Sequence, residues 1–239
     1  MSKRTALLLG ATGLVGKHCL ELLLDDDFYE KVITLGRRKI EREHAKLIQH
    51  IIDFDNIEEY ANLFQAEDIF CCLGTTMEAA GSREAFRKID FTYTKEAARI
   101  VSQNGAEQFL VVTTSGANPK SFIFYNRVKG EIEEAIKKMS FESAQIFRPS
   151  LLLGERKEYR SRERVGERLL KGFKFLLVGG LRKYRPVKAS DVARAMVRMA
   201  KARPHGVHVY ETDRIKEVAR YGQHKYKDRS ATGEFSTKF

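Results

Sequence analysis

TALLLGATGLVGKHCLELLL, residues 5–24, decides how the rest of the chain is read. Thr5–Leu9 is a short apolar run of strand type. Leu14–Leu24 carries apolar residues at helical spacing, and three glycines, Gly10, Gly13 and Gly16, lie between the two. In a strand–turn–helix unit each glycine has a mechanical task. Gly10 makes the tight turn, Gly13 lets backbone approach a pyrophosphate, and Gly16 lets the helix sit close to the sheet. Thr12, Leu14 and Val15 complete the turn, and the free N–H groups at the helix start face the anion. Glycine-rich turns also occur as plain structure, so the weight falls on the elements downstream of this one.

A second strand-like run, Lys31–Leu35, completes a βαβ beginning, and the alternation continues. Strands are expected at Leu47–Ile52, Asp68–Leu73, Gln108–Thr113, Ser143–Phe147 and Val207–Tyr210. Helices are expected at Ile57–Phe64, Ser82–Asn104, Phe122–Met139, Ser190–Ala202 (capped by Ser190) and Asp213–Tyr221. Near-continuous apolar strands separated by helices require a parallel sheet covered on both faces. The fold class is therefore α/β, a doubly wound parallel sheet with a small C-terminal substrate-side extension. Residues 1–223 read as one nucleotide-binding domain, with 151–190 as the substrate-side cover and 224–239 as a disordered basic tail.

The 239 residues are 43% hydrophobic and 31% charged, a globular composition that excludes fibrous and disordered classes. No apolar run approaches the roughly 20 residues that span a bilayer, and no signal-like segment opens the chain, so membrane insertion is not expected and the location reads as cytoplasmic. Cys19, Cys71 and Cys72 make neither a disulfide framework nor a metal pair, and the six histidines are scattered, so no metal site is expected. The net charge of +11 is uneven: residues 1–150 hold 20 Lys/Arg against 22 Asp/Glu, and residues 151–239 hold 23 against 10. That asymmetry permits an anionic partner. Without a recognition module, nucleic acid is not expected, and solvated helix faces explain the excess.

Past the last glycine, the end of the second strand should meet the adenosine ribose. The residues there are Gly36-Arg37-Arg38-Lys39, with no carboxylate. Guanidinium groups can hold a 2′-phosphate, so Arg37 and Arg38 favour NADP(H) over NAD(H), the alternative being a solvated basic turn. Asp53-Phe54-Asp55 could receive the adenine amino group or simply cap the next helix. Leu73-Gly74-Thr75 comes after the fourth strand, where backbone can pass close to adenine and ribose.

Tyr125-Asn126-Arg127-Val128-Lys129 places a tyrosine and a lysine at i and i+4 on one helix face. An ammonium beside a phenol favours the phenolate, and the pair can give a proton to a carbonyl, or take one from an alcohol, while hydride is exchanged with a nicotinamide. Thr113-Thr114-Ser115 lies 10–12 residues upstream at the end of the fifth strand, where a hydroxyl can polarise the substrate oxygen. Continued strand geometry would put Thr113 and Ser115 on one face and Thr114 on the other.

Taken together, GATGLVG (10–16), the hydroxyl cluster, YNRVK (125–129), IFRPS (146–150) and RPVKASDVA (185–193) resemble the short-chain dehydrogenase/reductase superfamily over about residues 5–221. CLGTT (72–76), FRKID (86–90), SGANPKSFIFYNRVKGE (115–131) and FRPSLLLGER (147–156) resemble more narrowly its atypical, Tat-interacting-protein-like branch. The resemblance implies a Rossmann-like fold and NADP(H) across the strand ends. It implies Tyr125 as acid/base, Lys129 on the nicotinamide ribose, a hydroxyl partner, and Arg148-Pro149 bordering the nicotinamide. Where branch members carry a serine before the Gly-Ala pair, this chain offers Thr113, Thr114 and Ser115, so the hydroxyl role stays open among them.

The leading expectation is an NADP(H)-dependent oxidoreductase acting on a small carbonyl or alcohol. The alternatives are an NADPH-binding regulator with a protein partner and little turnover, and a nucleotide-sugar epimerase or dehydratase. The last is weighed down because only about 90 residues come after the sixth strand. The two long helices could form a homodimer surface or only cover the sheet of a monomer.

Overall fold

The computed structural model describes residues 3–153 and 185–220. Seven strands form one parallel sheet: β1 (Arg4–Leu9), β2 (Tyr29–Gly36), β3 (Leu47–Ile51), β4 (Asp68–Cys71), β5 (Gln108–Val112), β6 (Ser143–Arg148) and, after a two-residue pair β7 (Leu152–Leu153) with β8 (Val187–Lys188), β9 (Gly206–Glu211). Their spatial order is β3-β2-β1-β4-β5-β6-β9. The chain moves outward from β1 to β3, returns to the middle for β4, and then builds the other half. The order reverses between β1 and β4, and in open α/β sheets ligands bind in the crevice at the carboxyl ends of strands at such a reversal.

The period of two in β1 sorts the core. Ala6 and Leu8 face one apolar layer with α1 (Leu14–Asp25), α6 (Ala189–Ala202) and α7 (Thr212–Arg220). Leu7 and Leu9 face the other, with α4 (Thr94–Gln103), α5 (Phe124–Lys137) and a 3₁₀ segment, Phe54–Leu63. All four residues are fully buried, which is why this strand reads as an uninterrupted apolar run. Pairing registers such as Leu8↔Thr34 and Leu8↔Phe70 hold β1 between β2 and β4.

The doubly wound parallel sheet stands as expected, with three local differences. The helix expected at Ser82–Asn104 is capped by Ser82, whose hydroxyl accepts from the Ala85 N–H at 3.0 Å, but it is not a uniform α-helix. After the single-turn α2 (Met77–Ala80), a π-turn over Lys88–Tyr93 joins α3 (Arg83–Arg87) to α4. Such widened turns bulge one residue out of the regular ladder, here bringing Asp90 into the interior. Ser190 does not cap α6: the helix begins at Ala189 with Lys188 as its flanking residue and no side-chain cap. In place of the helix expected at Ile57–Phe64 stands the tighter 3₁₀ segment Phe54–Leu63, kinked at Asn56. Most of the expected substrate-side cover, residues 154–184, and the expected tail lie outside the described residues.

Candidate functional site

The glycine turn is built as its spacing requires. Gly10 has φ +78°, and a Cβ there would sit 2.4 Å from the Cys72 carbonyl oxygen, so the turn packs directly on the end of β4. The Gly13 N–H closes the loop onto Gly10 O at 3.0 Å. A Cβ on Gly16 would lie 2.1 Å from that same Gly10 oxygen, so α1 is seated against the turn. Gly13 precedes α1 without any side-chain cap, and the first turn holds no acidic residue. The first N–H groups of α1 and its positive end therefore have no carboxylate of their own to satisfy them, which fits a pyrophosphate.

Two cavities flank this turn and share Gly13, Cys72, Leu73 and Gly74 as walls. One, of about 340 Å³, runs over Gly10, Ala11 and Thr12 to Gly36, Arg37, Arg38, Phe54 and Tyr93. The other, of about 450 Å³, runs from Leu14 and Val15 past Thr75 to Thr113, Thr114, Tyr125, Lys129, Pro149 and Ser150. A two-lobed groove bent over a glycine turn has the shape of a dinucleotide site, with the adenosine half toward β2 and the nicotinamide half toward β5.

In the adenosine half, Phe54 lines the cavity but Asp53 does not. The Asp53 carboxylate accepts from Asp55 N–H at 3.0 Å and from Asn56 Nδ2 at 2.9 Å, and so caps the 3₁₀ segment. Arg37 and Arg38 line the rim as exposed side chains. Tyr93, whose ring lies 5.3 Å from that of Phe54, walls the same lobe and was not picked out by sequence.

In the nicotinamide half, Tyr125 and Lys129 share the cavity-facing side of α5, one turn apart, with Phe86 packed 5.2 Å from the Tyr125 ring. Lys129 is buried and its Nζ lies 2.6 Å from Asp90 Oδ1. Asp90 Oδ2 accepts from Thr75 N–H at 2.9 Å. Burial pushes the Lys129 ammonium down, but Asp90 and Tyr125 outweigh it and hold it above its usual range. Thr75 thus reaches the site through its backbone.

The three hydroxyls separate. Thr113 lines the cavity, but its hydroxyl donates to Glu133 Oε1 at 2.6 Å and is committed. Ser115 lies outside the cavity, 3.4 Å from Glu211 Oε2. Thr114 lines the cavity with only a long contact to Ser115 O, 3.5 Å, so the hydroxyl available to a substrate is the one the strand rule had set apart. The cause is that β5 ends at Val112, and the alternation stops before these residues. Arg148 also turns away from the groove. Its guanidinium grips Glu133, with Nε 3.0 Å from Oε1, and reaches Glu211 Oε1 at 3.1 Å, leaving Pro149 to border the cavity. Asp90 and Glu133 were not singled out by sequence. The available signal was an acidic residue on the apolar face of each of two amphipathic helices.

Residues 6–211 match the NAD dependent epimerase/dehydratase family. Protein HTATIP2 of Rattus norvegicus is 35% identical over 167 residues, 68% of this chain and 69% of that protein. The mitochondrial protein FMP52 of Candida glabrata is 38% identical over 162 residues, 66% and 68% of the two chains. Among solved structures, MoeE5 in complex with UDP-glucose and NAD superposes with a TM-score of 0.67 at 16% identity, covering 90% of this chain and 80% of that one.

These findings correct two expectations. The preference for NADP(H) does not stand, since the family is described as NAD dependent. Arg37 and Arg38 themselves are exposed on the rim of the adenosine lobe. A cytoplasmic location does not stand either, because FMP52 relatives are mitochondrial. Among the described residues, no helix is long and apolar enough to cross a membrane.

Proposed function

This chain belongs to the NAD dependent epimerase/dehydratase family, and from that premise we propose that it works on a secondary alcohol or ketone of a small, nucleotide-sugar-like molecule, with Tyr125 as acid/base. The observation that carries the reading is the convergence of Tyr125, Lys129 and Thr114 on one cavity that adjoins an uncapped glycine turn. In this reading the described residues act as one NAD-binding unit.

Gly10, Gly13 and Gly16 hold the pyrophosphate, with Thr12, Leu14 and Val15 around it. Phe54, Leu73 and Gly74 wall the adenosine, while Thr75 and Pro149 border the nicotinamide. NAD, when bound, supplies the hydride acceptor and returns the hydride. The chain's own residues handle the proton. Thr114 donates a hydrogen bond to the substrate oxygen and orients it. Tyr125 takes the hydroxyl proton as the carbon is oxidised and gives it back as the carbonyl is reduced. Lys129 holds a ribose hydroxyl and fixes the electrostatic setting of the phenol. Thr113, bound to Glu133, keeps the end of β5 against α5 and leaves the proton work to its neighbour.

The test is NADH binding, followed by its fluorescence, together with turnover of UDP-sugars in wild type and Tyr125→Phe. The expected result is unchanged NADH affinity with turnover reduced by roughly 10²–10⁴. Equal turnover in the variant rejects Tyr125 as acid/base. A protein that binds NADH and turns over nothing, in either form, favours the regulatory reading.

A further inference from the structure

A Tyr/Lys pair one turn apart normally leaves the phenol under the field of a single positive charge, which lowers its pKa by roughly 1–3 units at close range. Here the ammonium is not single. Asp90 meets it at 2.6 Å, both side chains are buried, and the second carboxylate oxygen is fixed by the Thr75 N–H at 2.9 Å. Oδ1 is buried with no well-aligned hydrogen bond among the described residues, and it meets Lys129 as an ion pair. The neighbouring backbone is shaped to admit the pair. A Cβ on Gly74 would lie 3.2 Å from Asp90 Oδ1 and 3.4 Å from Lys129 Nζ, and the π-turn brings Asp90 into the interior.

We propose that Asp90 is a positioning residue that holds Lys129 and offsets much of the positive charge it presents to Tyr125. The inference rests on the reading of Tyr125 as acid/base.

The other charges around the pair do not replace this effect. On β4, Cys71 is buried and its thiol is pushed up to about 12 by that burial, so it is neutral. Between α3 and α5, Arg87 is paired with Glu131 at 2.5 Å. On the π-turn, Lys88 is bound to Asp55 of the 3₁₀ segment at 2.6 Å, and Asp55 also accepts from the Tyr93 hydroxyl. On α4, Lys95 lies over the Phe91 ring. On α5 and α3, Arg127 and Arg83 lie over the Phe124 ring.

The test does not need turnover. The chain has nine tyrosines and no tryptophan, so phenolate absorbance in the near ultraviolet is read without indole background. Subtracting the pH titration of Tyr125→Phe from that of the wild type isolates the Tyr125 step. In Asp90→Asn, against its own Tyr125→Phe control, that step is expected about one unit or more lower. A step that stays in place or rises overturns the proposal.

Asp90→Asn leaves a buried ammonium unpaired. Should it fail to fold, the neutral pair Lys129→Met/Asp90→Asn is compared with wild type, each against its own Tyr125→Phe control: a step that stays in place is expected, and a rise of about one unit or more overturns the proposal. A shifted step in a protein without turnover of any UDP-sugar leaves this electrostatic role standing and counts against the nucleotide-sugar reading. Turnover that Tyr125→Phe abolishes, with an unshifted step, does the reverse.

Discussion

Gly16→Ala is the smallest change that separates the glycine turn as a binding device from the glycine turn as mere chain reversal. The new methyl carbon would be placed 2.1 Å from Gly10 O, 2.8 Å from Gly10 C and 3.0 Å from Ala11 Cα, all of them backbone atoms of the turn itself. No side chain can rotate out of the way, so the first turn of α1 and the loop must separate by roughly an ångström to reach ordinary van der Waals distance. Overpacking of this kind costs about 1–3 kcal/mol. For a chain of this size that is a fall in melting temperature of roughly 2–4 °C per kcal/mol. The same displacement pulls the first N–H groups of α1 away from the loop they must share an anion with. NADH affinity is therefore expected to fall by more than the stability change alone implies, with the variant still folded at the temperature of the titration. Gly81→Ala is the control. Gly81 also has a left-handed φ, +80°, but a Cβ there meets nothing within 4 Å. It is expected to cost about 1 kcal/mol in backbone strain and to leave NADH affinity as it was. Wild-type NADH affinity in Gly16→Ala, or equal losses in the two variants, would refute the reasoning.

Glu133→Ala removes the acceptor of both Thr113 and Arg148 and leaves a half-buried guanidinium short of its main partner. About 3 kcal/mol of stability is expected to go, the low end for a broken buried pair because Arg148 keeps Glu211 and some solvent; denaturant melts check it, and a loss below about 1 kcal/mol contradicts it. For Glu107, burial raises the carboxyl pKa, but Arg4 and Arg203 outweigh it and hold the folded state below the usual range. A depressed folded pKa means stability that is present above the unfolded value of about 4.3 and lost as pH falls through the folded one. Glu107→Gln is expected to flatten that acid limb of melting temperature against pH, and an unchanged limb rules the contribution out. Cys71, buried with its thiol pushed up to about 12, is expected to stay unreactive toward an aromatic disulfide reagent in the native protein at mildly alkaline pH and to react once denaturant is added. Fast native labelling of that residue counts against the packing described.

The legible part of this molecule is the part whose signal is local. An apolar run, three glycines at fixed spacing and an amphipathic stretch suffice for β1, the turn and α1, since each reports its own geometry. The strand series is legible for the same reason, because a parallel sheet buried on both faces leaves runs such as Ala6–Leu9 with no polar interruption. Tyr125 and Lys129 are legible as a pair because i and i+4 share a helix face wherever the helix lies. Illegible were the relations set by tertiary contact. Nothing in Thr113-Thr114-Ser115 says which hydroxyl Glu133 claims, since that acceptor lies 20 residues away on another element. Asp53 reads equally as ligand or cap until Asn56 is found beside it. Arg37 and Arg38 show only that positive charge sits near the ribose. Whether it grips a phosphate depends on exposure and on the cofactor the family uses, and neither is written in four residues.

Two of the missed residues, Asp90 and Glu133, are acids buried behind the site. Isolated charges are too costly to bury, so Asp90 and Glu133 are stable where they lie only because Lys129 and Arg148 meet them. The two pairs do different work because Glu133 lies one turn, about 6 Å, further along α5 than Lys129 on nearly the same face. Lys129, one turn from Tyr125, faces the cavity and couples to the phenol. Glu133, a further turn on, ties α5 to the ends of β5 and β6 through Thr113 and Arg148. Gly130, between them, allows the close approach this demands, since a Cβ there would fall 2.2 Å from Pro119 N. Helix α5 is therefore held in rotation and in height by contacts that no apolar interface of the same size would specify as sharply, and Tyr125 at its first turn inherits that placement. On this view Gly130→Ala shifts α5 as a body. It is expected to lower turnover with NADH still bound, because the glycine turn that holds the pyrophosphate is carried by a different helix.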